Sequence, residues 1–180
     1  MNLDYQRLQQ HDHEQAIEFA LHSRQLLFPE LYQTTVPKDI EYFEKYYIDS
    51  PLGCFMVVKD QDHIIGTIAY RAYDQRFDLD IPNGAVEVVK LFVLPEYRRQ
   101  GIATQLCRCL FEHAEQKGID TLYLHTHPFL PAAEQFWQRQ GFNVLKREWL
   151  KTYDTIHMLR RLNEDTKFCF TKVCADLAYI

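Results

Sequence analysis

The stretch VEVVKLFVLPEYRRQGIATQLCRCLFEHAEQKG, residues 86 to 118, most constrains what this chain can fold into. Its first part, 85 to 94, is apolar on both faces apart from Glu87 and Lys90 and reads as a strand in the middle of a sheet. A tight turn follows, Arg98-Arg99-Gln100-Gly101-Ile102-Ala103, and opens directly into an amphipathic helix over about 99 to 117. That helix carries Ile102, Leu106, Cys109, Leu110 and His113 on one stripe, and Gly118 ends it. A helix start has unpaired backbone N–H groups and the positive end of the helix dipole. A strand that delivers a small-residue turn to such an end builds a phosphate cradle. Gly101 and Ala103 let the backbone approach phosphate oxygens where larger residues would block it, and the amides of Arg99 through Ala103 can converge there. A phosphorylated cofactor is therefore expected.

The remaining elements are organised around this unit. Residues 3 to 8 read as a short first strand. Asp12 then has the place of an N-cap, with Gln15 as its capping-box partner, and Ile17, Ala20, Leu21 and Leu27 share roughly one face of the helix that follows. Residues 28 to 38 read as a loop, and Pro37 opens a second helix with Ile40, Phe43 and Tyr47 inward. CFMVVKD and HIIGTIAYRAY are two strands joined at the hairpin-like KDQDH, and DQRFDLDIPNG, 74 to 84, is a polar loop. DTLYLHT, 120 to 126, is the strand after the central helix. A strand, helix, strand unit of this length makes a right-handed crossover and a parallel pair. Pro131 opens a short helix through Gln140, capped by Gly141, and FNVLKREW and TIHMLRRL close the chain as an antiparallel pair. The tail from 163 to 180 fits no clear element. It is expected to be an extra strand, a contact in a homodimer, or disordered.

At 180 residues the chain has room for one domain with a full core. A formal net charge of -5 argues against a broad nucleic-acid surface, so no nucleic-acid partner is expected. Five cysteines, an odd number without a CxxC pair, suit reduced thiols in a cytoplasmic protein rather than disulfides or zinc. No apolar run reaches the length of a membrane span, and the polar N-terminus lacks a signal-peptide core, so no membrane partner is expected either.

The order of elements and three motifs resemble the GNAT superfamily of acyl-CoA-dependent N-acetyltransferases, over residues 1 to about 162. Arg98-x-x-Gly101-x-Ala103 looks like the family's pyrophosphate loop, (Arg/Gln)-x-x-Gly-x-(Gly/Ala). VVKLFVLPEYRRQGIA as a whole is similar to the family's central strand and loop. Ala133-x-x-Phe136-Trp137-x-x-x-Gly141-Phe142 looks like its second cofactor motif. The resemblance implies one α/β domain over 1–162. Its central sheet would be mixed and mostly antiparallel, with six to seven strands, a splayed parallel pair and helices on both faces. It implies acetyl-CoA as co-substrate, held by Leu91, Phe92 and Val93 along the strand, by Arg98, Arg99, Gln100, Gly101, Ile102, Ala103 and Thr104 at the cradle, and by Trp137. It also implies a backbone N–H near Leu91 as oxyanion donor, no metal, and direct attack on acetyl-CoA by a primary amine. The acceptor is expected to be a small molecule such as a polyamine, an amino acid or an amine drug. A protein or peptide acceptor and a non-catalytic acyl-CoA sensor are the alternatives.

Transfer to an amine needs the amine unprotonated, and an alkylamine is almost all ammonium at neutral pH. Glu87, fourteen residues before Gly101, matches the catalytic glutamate of some family members. On a buried strand face its pKa is expected to be raised, which suits a general base. The competing reading is a Glu paired with Lys90 or an Arg. Trp137 departs from the family, where many members place a Tyr as acid for the thiolate. Indole cannot serve as that acid, so Trp137 is read as packing, and Tyr123, Tyr153 or water as the substitutes. His125 and His127 stand near the expected cleft mouth, where either could relay a proton or simply be hydrogen bonded. Asp74, Asp78, Asp80, Glu41 and Glu44 lie where family members recognise acceptor and could attract a cationic one, or merely be solvated. Tyr32, Tyr46 and Tyr47 read as core or surface aromatics.

Overall fold

The computed structural model describes residues 3–29, 36–130, 132–150 and 153–162. Seven strands form one sheet: β1 (Leu3–Arg7), β2 (Cys54–Asp60), β3 (His63–Ala72), β4 (Val86–Val93), β5 (Thr121–Thr126), β6 (Asn143–Leu150) and β7 (Tyr153–Arg161). Their order across the sheet is β1-β2-β3-β4-β5-β7-β6, and every pair is antiparallel except β4 with β5. Among the described residues five α-helices accompany them: α1 (His13–Leu27), α2 (Lys38–Glu41), α3 (Phe43–Tyr47), α4 (Ile102–Gln116) and α5 (Ala133–Arg139). The expected order of strands and helices is present. The tail from 163 lies outside the described residues.

The two-residue period of β2 shows how the sheet is covered on both faces. Cys54, Met56 and Val58 join a core that includes Ile102, Leu106 and Leu110 of α4 and Trp137 of α5. Phe55 and Val57, pointing the other way, join Ala16 and Ala20 of α1, Ile40 of α2 and Phe43 and Tyr47 of α3. In β4 the same alternation sends Val86 and Val88 to the α4 side and Val89 to the α1 side. Glu87 therefore sits on the α1 side, and Tyr123 of β5 is part of the smaller buried cluster there with Tyr73 and Ala85.

Three local expectations differ. Asp12 makes no side-chain cap for α1, because its carboxylate pairs at 2.9 Å with Lys59 in a buried ion pair. Gln15 instead accepts from the Ile64 amide. The buried stripe of α4 runs through Cys107 rather than Cys109, which is only partly covered. Ala132, with φ +61°, precedes α5, and Pro131 lies outside the described residues.

Candidate active site

β4 and β5 hold together for only two rungs, Val86 opposite Leu122 and Glu87 opposite Tyr123. Beyond them the strands part, and a cleft of about 660 Å³ opens between their C-terminal halves. A switch of this kind at the carboxyl ends of adjacent strands is a general place for ligands in α/β sheets. Leu91, Phe92 and Val93 line one wall and Leu124 and His125 the other.

A bulge shapes the β4 wall. Ala69 faces Val89 and Thr67 faces Phe92, so Ile68 alone stands against both Lys90 and Leu91. Lys90 takes a left-handed φ of +60°, and the Thr67 hydroxyl donates to its carbonyl at 2.7 Å. A bulge leaves one residue outside the ladder and re-aims its neighbours, here at the point where the strands separate.

The cradle follows. Leu94 leads into a short turn, and Arg99 and Gly101 adopt φ of +62° and +78° before α4 begins. No side chain caps α4, so the first-turn amides keep their donors open beside the cleft. Arg99, Gly101, Ile102, Ala103 and Thr104 line it, whereas Gln100 does not. Arg98 also lines the cleft but is tied inward: its Nε donates to the Val93 carbonyl at 2.9 Å and its guanidinium lies over the Phe92 ring. Trp137 reaches the cleft from α5 while packing edge-on against Phe142 at 5.3 Å and against Phe136, as the packing reading expects.

Glu87 corrects the sequence reading. Its side chain is wholly buried, yet its carboxyl is held well below the usual carboxylate range rather than raised. Burial by itself would lift it, but hydrogen bonds from His125 and Arg76 and the charges of Arg76 and Arg71 outweigh that. Arg71 donates to Oε2 through Nη2 at 3.0 Å, and Arg76 reaches both oxygens, Oε2 at 2.9 Å. The Nδ1 of His125 is 3.1 Å from Oε1. The ion pairs extend outward. Asp74 meets Arg76 at 2.7 Å, while buried Asp39 meets Lys90 at 2.8 Å and accepts from the Tyr47 hydroxyl at 2.5 Å. Lys90 binds Asp39, not Glu87.

The remaining candidates separate clearly. His125 lines the cleft with a side chain 30% exposed. His127 has Nδ1 at 3.0 Å from the Asp154 carbonyl and its ring stacked on Phe129. Tyr123 is buried with its hydroxyl 2.7 Å from His157 Nδ1 and does not line the cleft, so it is not placed to replace the missing tyrosine; burial pushes its phenol up. The side chain of Tyr153, and all of Tyr32, lie outside the described residues. None of the five acids nominated for a cationic acceptor reaches the cleft. Asp74 is spent on Arg76, Asp78 and Asp80 are exposed, and Glu41 and Glu44 border a separate groove between α1 and α2. Among the described residues the cleft is lined by Lys90, Arg98, Arg99, Arg139 and His125 and by no carboxylate. The competing reading of Glu87 named Lys90 or an Arg as its partner; the partners are Arg71 and Arg76, which the sequence reading left unnumbered. An arginine inside an otherwise acidic loop and another on the strand just before it were the available signal.

The sequence and fold have counterparts in known proteins. The family described as the acetyltransferase (GNAT) family matches residues 17–142. The chain belongs to the GNAT acetyltransferase family. Among curated relatives, human N-acetyltransferase 8 is 27% identical over 134 residues, covering 71% of this chain and 58% of that protein. Human N-acetylaspartate synthetase is 28% identical over 104 residues, covering 58% of this chain and 32% of that one. The chain thus spans well under two thirds of the length of either relative. A crystal structure of a GNAT-family acetyltransferase from Staphylococcus aureus superposes with a TM-score of 0.69 at 25% identity, over 89% of this chain and 99% of that one. Among the described residues no helix is long and apolar enough to cross a membrane, and no group of side chains could hold a metal ion.

Proposed function

We propose that this GNAT protein transfers the acetyl group of acetyl-CoA to the primary amine of a small acceptor that also carries a carboxylate, as an amino acid does. The observation that carries this is the two-rung pairing of β4 with β5 above an uncapped α4. It presents free strand edge and free helix amides to one cleft, which suits the peptide-like pantetheine arm and the pyrophosphate of CoA. When bound, acetyl-CoA supplies an activated thioester carbonyl. The chain's own groups then have distinct parts. Leu91, Phe92 and Val93 offer backbone to the arm. Arg99, Gly101, Ile102, Ala103 and Thr104 offer amides to the phosphates, and Arg98 and Arg99 offer positive charge. The Leu91 amide, beside the bulge, faces the oxygen that gains charge. Trp137 packs the arm. Glu87, with no exposed surface, serves acid–base chemistry as the fixed anion of the site rather than as the group that meets the amine.

The acceptor class rests on charge. A polycation has no carboxylate to meet in this cleft, whereas Lys90 beside the bulge can be shared between Asp39 and an acceptor carboxylate. The name of the human relative that makes N-acetylaspartate points to the same chemistry. Buried, unpaired Cys54 and Cys107 fit a reducing compartment such as the cytoplasm. The test is thiol release from acetyl-CoA over a panel of amino acids, polyamines, arylalkylamines and short peptides. Release with amino acids above polyamines is expected. Tight acetyl-CoA binding with no release on any amine would instead mark a sensor, and release only with peptides would move the acceptor to that class.

A further inference from the structure

Acetyl transfer to an ammonium ion needs a group that can take a proton at the point where β4 and β5 part. Glu87 cannot be that group directly, because its side chain is fully buried and three neighbours already occupy its oxygens. The ring joined to it can. His125 lies two residues past the last rung on β5, on the same face as Tyr123, and by register it stands level with Val89, just before the Lys90–Leu91 bulge. Its side chain lines the cleft.

The hydrogen bond fixes which ring nitrogen is available. An ionised carboxylate accepts and never donates, so the 3.1 Å contact from Oε1 requires the proton on Nδ1 of His125. In the neutral ring Nε2 then carries the lone pair. A buried carboxylate that sets the tautomer of a histidine and stabilises its charged form is the logic of the serine-hydrolase triad, here placed beside a thioester-sized cleft. Phe77, edge-on to the His125 ring at 5.6 Å, and Tyr123, stacked at 6.4 Å, hold the ring plane.

We propose that His125 is the catalytic base of this protein and that Glu87 is its positioning residue, an inference that rests on the acetyltransferase reading above. Nε2 takes one proton from the acceptor ammonium, freeing the nitrogen lone pair. That pair forms the C–N bond to the acetyl carbon, and the C–S bond breaks with its electrons going to sulfur. The second nitrogen proton passes to the thiolate, leaving amide and CoA thiol, and His125 releases its proton to water. One proton is set free per acetyl group moved.

Several ionisable groups surround this ring and enter its pH behaviour. Glu87 of β4 contacts it, and Arg71 of β3 and Arg76 of the 73–85 loop share that carboxylate. His127 and His157 lie with ring centres 5.8 and 6.4 Å away, and Tyr123 faces it from its own strand.

The test uses the whole chain and His125→Asn, whose amide can still donate to Glu87 but has no Nε2. With the best acceptor of the amine panel, kcat/KM at neutral pH should fall about 100-fold or more, while acetyl-CoA affinity and melting temperature stay near wild type. The acid limb of the wild-type pH profile should vanish, and added imidazole should restore part of the rate in His125→Ala. A loss under about threefold with the pH profile unchanged would overturn the proposal. A readout independent of turnover accompanies it: imidazole 15N spectra, assigned with His125→Asn, should show the Nδ1–H tautomer for His125, weakened in Glu87→Gln. An Nε2–H tautomer would overturn the proposal even if no amine were a substrate. Absence of release by the wild type on every amine would count against the acetyltransferase reading alone.

Discussion

The two halves of β4 are built on opposite principles. From Lys90 onward, through the bulge and the turn to α4, the site is made of backbone: a left-handed Lys90, a left-handed Gly101, and helix amides without a side-chain cap. Before Lys90 it is made of charge, with Glu87 clasped by Arg71, Arg76 and His125. A backbone site recognises what every cofactor of one type shares and tolerates changes of side chain. A charge cluster in a buried place is intolerant, because each member is desolvated on the assumption that the others are present. Substitutions in the first half should therefore be felt mainly in cofactor affinity, and those in the second mainly in folding and proton handling.

The largest expected effect is Glu87→Ala. It strands Arg71 and Arg76 beside a vacated, wholly buried position. Removing one partner of a buried ion pair typically costs about 3–5 kcal/mol. Denaturant unfolding should show that loss. A loss below about 1 kcal/mol, the range of exposed pairs, would mean that water reaches the cluster and that the contrast between the two halves is false.

Gly101→Val comes next. The φ of +78° is open to glycine and strained for a β-branched residue, at roughly 1–2 kcal/mol. The strain is relieved by deforming the turn that aims the amides. Calorimetric titration with CoA should give a Kd raised about 5- to 30-fold, each 1.4 kcal/mol being one factor of ten, with a much smaller change in kcat at saturation. A kcat loss at unchanged Kd would place the cradle's role in chemistry rather than binding.

How much of this contrast the sequence carries follows from the range of the contacts. Strand periods, the turn at Gly101 into α4 and the packed position of Trp137 are local patterns, and the structure has them where the pattern lies. The state of Glu87 is not local. Arg71 comes from the neighbouring strand and Arg76 from a loop that reads as acidic, and only the antiparallel register of β3 with β4, Arg71 opposite Glu87, brings them together. Burial alone pointed to a raised carboxyl; the partners reverse its direction. The capping box failed for the same reason, since Lys59, far along the chain, claims Asp12. The Lys90 bulge was equally hidden, because it exists only as a mismatch between two strands.

The charge half should also reveal itself with pH. The folded-state carboxyl of Glu87 lies below its unfolded value near 4.3. The unfolded chain therefore binds that proton first as pH falls. The stability it contributes is complete above about pH 5 and is lost progressively below, with a slope near 1.4 kcal/mol per pH unit for one proton. Asp39, also lowered despite its burial by Lys90 and Tyr47, acts in the same direction. Unfolding free energies of wild type should decline across that window, and Glu87→Gln should flatten the decline by about one proton. An unchanged slope in the mutant would mean that Glu87 does not titrate differently on folding.

The smallest effect belongs to Trp137, on the backbone-built side. Its indole is 8% exposed, edge-on to Phe142 and beside Phe136, so Trp137→Tyr and Trp137→Phe each leave a partial void worth about 1–2 kcal/mol. The informative quantity is the difference between the two. Tyr brings a phenol to the position from which many family members protonate the thiolate, and Phe brings the same ring without it. A CoA thiol is acidic enough to depart near neutral pH unaided, so both variants should turn over within about threefold of each other, a gap below 1 kcal/mol. Tyr exceeding Phe by more than that would show that thiolate protonation limits the rate in this chain. It would also show that the backbone half of β4, for all its tolerance, lacks one side chain that the chemistry can use.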